Sequence, residues 1–396
     1  MKAAIKTKIK QVGLSVLGVV GLLLVLGFSV LWNESSYPQE ETWPVSDHFD
    51  GKTFFNPWDR KEASDPEGGQ RQRGTFWYLW RWLTADGRPQ WPEIKELPPA
   101  PRPPFRVAQG KIRITIIGHA TFLIQMDGVN ILTDPIWSER CSPVSWAGPR
   151  RYQPPGIPFQ DLPPIDVILI SHNHYDHMDL PTLRRLATSG TPRALVPLGN
   201  RALVAETGIP QVEALDWWDS VALRSRLTVT MVPARHFSGR TPWDRNRTLW
   251  GGYVVSGPSG TVYFAGDTAY GPHIQEIGKK YFPITVALLP ISPFRTGKPN
   301  DHTPSRFSRV HMGPNEAVRA HLDLKAGKSI AAHFRVFRLG WDGFDDAINE
   351  LFLTLQKEQV PEADFIVPDP GRSIETDKGM AGTQGEEKGK RVSAAR

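Results

Sequence analysis

Nine consecutive residues, Ser-His-Asn-His-Tyr-Asp-His-Met-Asp at positions 171–179, constrain this chain more than any other feature. They directly follow a short apolar, β-branched run at 165–170, which is typical of a buried strand. The histidines therefore lie where a strand ends and a loop begins, the usual place for a site on a rigid scaffold. Imidazole and carboxylate groups in this pattern favour a site for zinc, iron or manganese. The alternative is a polar loop that carries histidines without using them.

Further residues of metal-ligand type follow other apolar strand patterns along the chain. His236 comes after the run at 227–232, Asp267 after 261–265, and His333 after 329–332. His172 and His174 within the first motif are two residues apart, so in extended backbone their side chains point to the same side. Because four predicted strands each deliver such a residue at the same end, we expect these side chains to share one site.

These motifs resemble the metallo-β-lactamase superfamily over residues 105–370. The resemblance implies an α/β fold, namely a four-layer αββα sandwich, and a site that binds two metal ions. It implies that one ion is held by His172, His174 and His236. It implies that the other is held by Asp176, His177 and His333, with Asp267 bridging the two ions.

Shorter segments narrow the resemblance to one family. They are Leu-Pro-Pro-Ile-Asp at 162–166, Val-Pro-Leu-Gly at 196–199, Asp-Trp-Trp at 216–218, Phe-Ala-Gly-Asp-Thr at 264–268 and His-Met-Gly-Pro-Asn at 311–315. Together they are similar to N-acylphosphatidylethanolamine-hydrolysing phospholipase D. That family is a zinc enzyme that releases an N-acylethanolamine and phosphatidic acid. Val310 stands where better-known members have glutamine, and the segment 294–309, which contains Asp301 and His302, is longer here.

The resemblance also implies roles for individual side chains. Two Zn²⁺ are the expected cofactors, although nitrogen and oxygen ligands also suit iron or manganese. Asp176, Asp267 and His311 are the predicted catalytic residues. His311 and Tyr175 are predicted to contact the substrate phosphate or the leaving group, with plain packing as the alternative for Tyr175.

Three further polar residues are predicted to support the metal ligands from outside. His119 would hold the region of Asp134 in place, or it would be a buried histidine with an ordinary structural partner. Asp179 would orient a histidine through a hydrogen bond, since ligating imidazoles usually donate their second nitrogen to such a group.

The N-terminus combines four lysines within residues 1–10 with an apolar run of 21 residues at 12–32. That length can span a bilayer, which takes about 20 residues. A cleaved signal peptide is the alternative, although its apolar region is usually about 7–15 residues long. The preceding lysines predict a single-pass anchor with the catalytic domain on the non-cytoplasmic side. In a bacterium this would be the periplasmic face of the inner membrane.

Four regions follow from these patterns. Residues 1–32 are the predicted anchor and 33–104 a Pro- and Trp-rich arm, followed by a hydrolase domain at 105–370 and a polar tail at 371–396. The arm is a linker, a segment clamped on the main domain, or a lipid contact through Trp77, Trp80 and Trp82. The tail is expected to be disordered. Helical patterns at 180–189, 272–280 and 317–324, interleaved with strand patterns, predict two mixed sheets packed face to face with helices outside.

The expected function is therefore a membrane-associated, zinc-dependent phosphodiesterase acting on N-acylphosphatidylethanolamine-type phospholipids. One alternative is a metallo-hydrolase of a small soluble lactone or cyclic phosphodiester on the same fold. Another is a membrane-anchored metal-binding protein without enzymatic activity. The expected partners are a phospholipid membrane and a lipid substrate. Nucleic acid is not an expected partner, because a net charge of +6 does not by itself indicate it. The oligomeric state stays open, with a homodimer as one alternative.

Overall fold

The computed structural model describes residues 42–59, 88–295 and 306–377, and it shows two mixed β-sheets. The first sheet contains β1 (Lys111–Gly118), β2 (Thr121–Met126), β3 (Val129–Thr133), β4 (Val167–Leu169), β5 (Arg193–Pro197), β6 (Gln211–Leu215) and β14 (Ser373–Asp377). Their order is β14-β1-β2-β3-β4-β5-β6. The pairs from β14 to β3 are antiparallel and those from β3 to β6 are parallel.

The second sheet repeats this plan. It contains β7 (Ser220–Ala222), β8 (Thr228–Val232), β9 (Gly252–Gly257), β10 (Gly260–Phe264), β11 (Val286–Pro290), β12 (Lys328–Ala332) and β13 (Phe365–Ile366). Their order is β13-β12-β11-β10-β9-β8-β7, with the pairs from β13 to β10 parallel and the rest antiparallel. Within residues 88–295 and 306–377 the α-helices are α1 (Leu180–Ser189), α2 (Arg201–Ala205), α3 (Pro272–Lys280), α4 (Pro314–Leu324) and α5 (Asp346–Lys357).

Alternating side chains divide the core into three apolar layers. On β2, Phe122 and Ile124 point into the cluster between the sheets, whereas Leu123 between them joins the cluster under α1 and α2. On β11, Leu288 faces the cluster between the sheets and Leu289 faces the cluster under α3, α4 and α5. This period of two is what a strand that is buried on both faces requires. The predicted αββα arrangement with two mixed sheets is confirmed.

The described part of the arm, residues 42–59 and 88–104, packs on this domain. Phe49 and Phe54 belong to the core cluster between the sheets. His48 stacks on Trp217 with ring centroids 4.3 Å apart, and its Nε2 lies 2.8 Å from Asp216 Oδ1. Of the alternatives left open by the sequence, clamping on the main domain therefore holds for these residues. The tryptophans at 77, 80 and 82 lie outside the described residues.

Regular structure extends further toward the C-terminus than the sequence predicted. Ser373–Asp377 forms the edge strand β14, paired antiparallel with β1. The predicted disorder from residue 371 onward is therefore wrong for these five residues, because register with β1 supplies backbone hydrogen bonds that local composition does not reveal. Strand β13 and helix α5 were also not predicted from the sequence.

No helix within residues 42–59, 88–295 and 306–377 is long and apolar enough to cross a bilayer. The apolar segment 12–32 and residues 378–396 lie outside these ranges. The anchor and the disorder of that last stretch accordingly stay predictions.

Candidate metal centre

Strands of both sheets direct the predicted ligands toward one site. His172 and His174 follow β4 of the first sheet, whereas His236, Asp267 and His333 follow β8, β10 and β12 of the second sheet. Since β8, β10 and β12 run in the same direction, their carboxyl ends lie at one edge of that sheet. Donor atoms from both sheets lie within 4.8 Å of one another in two groups, which are His172, His174 and His236, and His119, Asp176, His177 and His333.

Three imidazoles form the first half of the cluster. His172 Nε2 lies 2.8 Å from His174 Nδ1, and His236 Nε2 lies 3.3 Å from the same Nδ1 atom. The nitrogen atoms of these three rings lie within 4.8 Å of one another. Three converging imidazole nitrogens are the donor set of many zinc sites.

Two carboxylates and two imidazoles form the second half. His177 Nε2 lies 3.2 Å from both Asp176 Oδ2 and Asp267 Oδ2. His333 Nε2 lies 3.4 Å from Asp176 Oδ2 and 3.2 Å from Asp267 Oδ1. Asp267 Oδ2 also lies 3.7 Å from His236 Nε2, so this carboxylate stands between the two halves.

The donor atoms fit a divalent metal ion. The buried Nε2 atoms of His177 and His333 and the Oδ1 atom of Asp267 have no hydrogen-bond partner within the described part of the chain. Buried polar atoms are normally satisfied, and functional sites are where exceptions concentrate. A cation between these atoms would satisfy them together, because each keeps a lone pair for it when the imidazole is neutral and the carboxylate is ionised.

Electrostatics separates the histidines of the first half from the others. Burial lowers the pKa of His174 to about 3 and that of His236 to about 4, and it also holds the pKa of His172 well below its usual value. These three rings are therefore neutral at pH 7, which is the protonation state that a metal ligand requires.

The second half responds to its carboxylates. Burial lowers the pKa of His177, but the carboxylates, with Asp267 and Asp176 foremost, outweigh it and raise that pKa well above the usual value. The same two carboxylates outweigh burial at His333 and raise its pKa to about 9. Two buried carboxylates require nearby positive charge. In the protein alone, histidinium supplies it, and a bound metal ion would replace those protons.

Outer partners hold several ligands in place. Asp134 Oδ2 lies 2.7 Å from His177 Nδ1, and Asp134 also accepts hydrogen bonds from the Ser171 main-chain N–H and hydroxyl, at 2.7 and 2.6 Å. His119 Nε2 lies 2.8 Å from Asp176 Oδ2. The expectation that His119 holds the Asp134 region is therefore replaced by a contact with Asp176, whereas Asp134 itself orients His177.

The residue before Asp267 has to be glycine. Gly266 has a φ of +60°, and a Cβ atom there would lie 2.6 Å from Ser171 Cβ. Ser171 follows β4 of the first sheet and Gly266 follows β10 of the second, so the missing side chain lets the two loops approach. His119, Asp134 and His333 adopt positive φ angles as well, of 58°, 33° and 62°. Such strain in non-glycine residues concentrates at functional sites.

Asp179 does not support a histidine. Its Oδ1 accepts the Ser138 hydroxyl at 2.8 Å, and its Oδ2 accepts the Ser138 N–H at 3.2 Å and the Thr182 hydroxyl at 2.5 Å. The prediction that Asp179 orients an imidazole is wrong, because the start of α1 turns this side chain toward the 138 loop.

This difference between two buried aspartates gives a paired prediction. Asp134→Asn should weaken metal binding about 10- to 100-fold, because it disturbs the partner of a ligand. Asp179→Asn should instead lower the free energy of unfolding by about 1–3 kcal/mol and leave metal affinity at the wild-type value, because it unpairs buried donors away from the ligands. Metal titration and urea unfolding of both variants check this. Equal metal affinities in the two variants would contradict it.

His311 joins the cluster, whereas Tyr175 borders it. His311 Nδ1 lies 3.6 Å from Asp267 Oδ2, and its ring centroid lies 4.9 Å from that of His236. The Tyr175 hydroxyl donates to the Arg240 main-chain carbonyl at 3.0 Å, and the Arg240 guanidinium lies 4.0 Å from the Tyr175 ring centroid. These contacts favour the packing alternative for Tyr175.

Sequence reasoning missed three supporting groups. The Arg240 guanidinium donates to the carbonyls of Asn173 and Met178 at 2.9 and 3.0 Å, which braces the loop with the first motif. His236 Nδ1 lies 2.6 Å from the Val310 carbonyl oxygen, and Asn56 of the arm contacts the His236 backbone. No periodicity or motif marks these residues, since each contact has a main-chain atom as one of its two partners. Asp301 and His302 lie outside the described residues.

Comparison with known proteins shows which family the chain belongs to. The family described as Beta-lactamase superfamily domain matches residues 129–334. The chain belongs to the metallo-β-lactamase superfamily. It is 39% identical over 278 residues to an uncharacterized protein of Mycobacterium tuberculosis, covering 68% of this chain and 70% of that protein. It is 33% identical over 273 residues to N-acyl-phosphatidylethanolamine-hydrolyzing phospholipase D 1 of Caenorhabditis elegans, covering 65% of this chain and 74% of that protein.

A solved structure, isothiocyanate hydrolase from Delia radicum gut bacteria, shares the fold with a TM-score of 0.52. It is 19% identical and covers 67% of this chain and 99% of that one. The superfamily match and the cluster of metal-type ligands together make this chain a metal-dependent hydrolase of the metallo-β-lactamase fold.

Proposed function

We propose that this chain is a dinuclear zinc phosphodiesterase that hydrolyses N-acylphosphatidylethanolamine-type phospholipids to an N-acylethanolamine and phosphatidic acid. The observation that supports it best is Asp267, whose two oxygens lie 3.2 Å from His177 Nε2 and His333 Nε2 and 3.7 Å from His236 Nε2. A carboxylate between two ligand groups suits a bridged pair of metal ions. The named relative of Caenorhabditis elegans supports the phospholipid substrate.

The residues of the chain would divide the work of this reaction. His172, His174 and His236 would hold one ion, Asp176, His177 and His333 the other, and Asp267 would contact both. Two divalent ions in such a site supply charge neutralisation for a phosphate and lower the pKa of a bound water to about 7. Water would attack phosphorus, and the bond between phosphorus and the ethanolamide oxygen would break.

His311 and Asp176 have the placement for proton and phosphate contacts. His311 lies beside Asp267 and is not part of either ligand set, so its imidazole can donate a hydrogen bond to a phosphoryl oxygen. Asp176 is held by His119, and burial, which raises its pKa, is outweighed by His177, which lowers it well below the usual value. An ionised Asp176 can accept a hydrogen bond from the attacking water, whose proton would pass to the leaving ethanolamide oxygen.

A lipid substrate fits the surroundings of the centre. Phe237 follows His236, and its ring centroid lies 4.5 Å from that of His174. The same loop carries Trp243, which is 51% exposed, and Arg247. Exposed tryptophan beside basic residues suits the headgroup level of a bilayer. We propose a membrane-anchored protein with this domain on the non-cytoplasmic side.

The experiment that tests the function is a substrate panel on purified full-length protein. N-acylphosphatidylethanolamine vesicles, phosphatidylcholine vesicles, a lactone and a cyclic phosphodiester are compared, with product identified by mass spectrometry. Release of N-acylethanolamine with phosphatidic acid is expected. Turnover of the lactone or the cyclic phosphodiester, with none of the lipid, would overturn the proposed substrate class.

The predicted anchor gives a second test. Deleting residues 1–32 should lower activity on vesicles by about 10-fold or more, because tethering raises the effective concentration of a lipid at the surface. Activity on a short, detergent-soluble phosphodiester analogue should stay at the wild-type value. Equal losses on both substrates would mean that the N-terminal region supports folding, and the membrane proposal would fail.

A further inference from the structure

One side chain of the arm holds the backbone of a predicted metal ligand. Asn56 Nδ2 donates to the His236 carbonyl oxygen at 2.9 Å, and the His236 N–H donates to Asn56 Oδ1 at 3.3 Å. Both main-chain polar groups of His236 are thus paired with one amide, as they would be with a neighbouring strand. Asn56 is buried, so water does not compete for these bonds.

Two neighbours of Asn56, Trp58 and Asp59, make further contacts with the domain near His236. Asp59 Oδ2 accepts a hydrogen bond from Asn56 Nδ2 at 3.0 Å, which orients the amide. Asp59 Oδ1 lies 2.6 Å from Nη2 of Arg235, which is the residue just before His236. Trp58 packs on His273 with ring centroids 4.8 Å apart.

The contact between Trp58 and His273 connects the arm to the segment of Asp267, the predicted bridging ligand. His273 Nε2 lies 2.9 Å from Oγ1 of Thr268, which is the residue just after Asp267. Thr268 Oγ1 also accepts the Arg235 main-chain N–H at 2.9 Å. Residues 56–59 therefore contact the segment of His236 after β8 directly, and they reach the segment of Asp267 after β10 through His273.

We infer that Asn56 is a positioning residue of the metal centre, and that it acts through the His236 backbone to aim the His236 imidazole. Strand β8 ends at Val232, and beyond it the Arg235 carbonyl still accepts the Ala269 N–H at 2.8 Å, whereas the main-chain groups of His236 itself pair with Asn56. The Val310 carbonyl sets the rotation of the ring, and Asn56 sets the position of its main chain. Residue 56 lies outside the matched domain at 129–334, so this chain completes its centre with a segment of its arm.

The test measures metal binding rather than turnover, since the inference rests on the metal centre of the proposed function and not on its substrate. Metal-free full-length protein and Asn56→Ala are titrated with Zn²⁺ against a competing chelator, and with Co²⁺ to record the visible spectrum. Asn56→Ala should lose about 10- to 100-fold in affinity for one of the two equivalents and change the Co²⁺ bands of that equivalent. Asn56→Leu keeps the side-chain volume and carries the same expectation if the alanine variant does not fold.

His48→Ala is the matched control, because it removes another contact between the arm and the domain without touching His236. It should lower the melting temperature and keep wild-type metal affinity and Co²⁺ bands. Wild-type affinity in folded Asn56→Ala or Asn56→Leu would overturn the inference, as would an equal loss in His48→Ala. A wild-type protein that binds no Zn²⁺ or Co²⁺ would instead overturn the metal centre itself.

Discussion

Asp267→Asn should abolish hydrolysis and remove most of the bound metal while leaving the protein folded. The Asp267 carboxylate faces four imidazoles, those of His177, His236, His311 and His333, at 3.2–3.7 Å. Asparagine keeps the shape but supplies no negative charge, and its amide group cannot bridge two cations. The loss of turnover should exceed the roughly 10- to 100-fold that follows when an outer partner of a ligand is removed. Elemental analysis and steady-state kinetics on the same preparation measure both effects.

Asp127→Asn is the matched control, because Asp127 is also a buried carboxylate but does not contact the predicted metal ligands. Asp127 lies in the turn between β2 and β3 and accepts hydrogen bonds from Ser259. It should lower stability without changing metal content or turnover per folded molecule. Wild-type turnover in Asp267→Asn, or an equal loss in Asp127→Asn, would remove Asp267 from the reaction.

Removing metal from the wild-type protein should stop turnover and lower the melting temperature. A ligand that binds only the folded state stabilises it by about 2.7 kcal/mol at a concentration 100 times its Kd. For a domain of this size that corresponds to a drop of roughly 5–10 °C after dialysis against chelator. Differential scanning calorimetry with and without Zn²⁺ measures it, and returning the metal should restore both temperature and activity.

His174→Ala separates this effect from nonspecific action of the chelator. The His174 Nδ1 atom lies 2.8 Å from His172 Nε2 and 3.3 Å from His236 Nε2, so its loss leaves two donors in the first half of the cluster. Zinc should then raise the melting temperature by less than in the wild type, and turnover should be absent. An activity that survives complete metal removal would contradict the metal centre.

The local patterns of the chain predicted its regular elements well where neighbours in sequence decide them. The helical spacing at 180–189 and 272–280 matches α1 and α3. The failures lie where distant segments decide. Ser373–Asp377 is polar apart from Ile374, yet it forms a strand because β1 offers it an open edge. Asp179 belongs to the first motif, yet the loop at Ser138 takes both of its oxygens.

By itself the sequence determined the kind of site and its principal members. Imidazole and carboxylate groups at the ends of apolar runs are a local property, and they predicted the residues that the fold brings together. Only the tertiary structure decided which partner each group has. It gave Asp134 to His177, His119 to Asp176, and the Asn56 amide to the His236 backbone. The physical reason is that these hydrogen bonds join positions far apart in the chain, often through main-chain atoms that every residue shares, so no side-chain pattern encodes them.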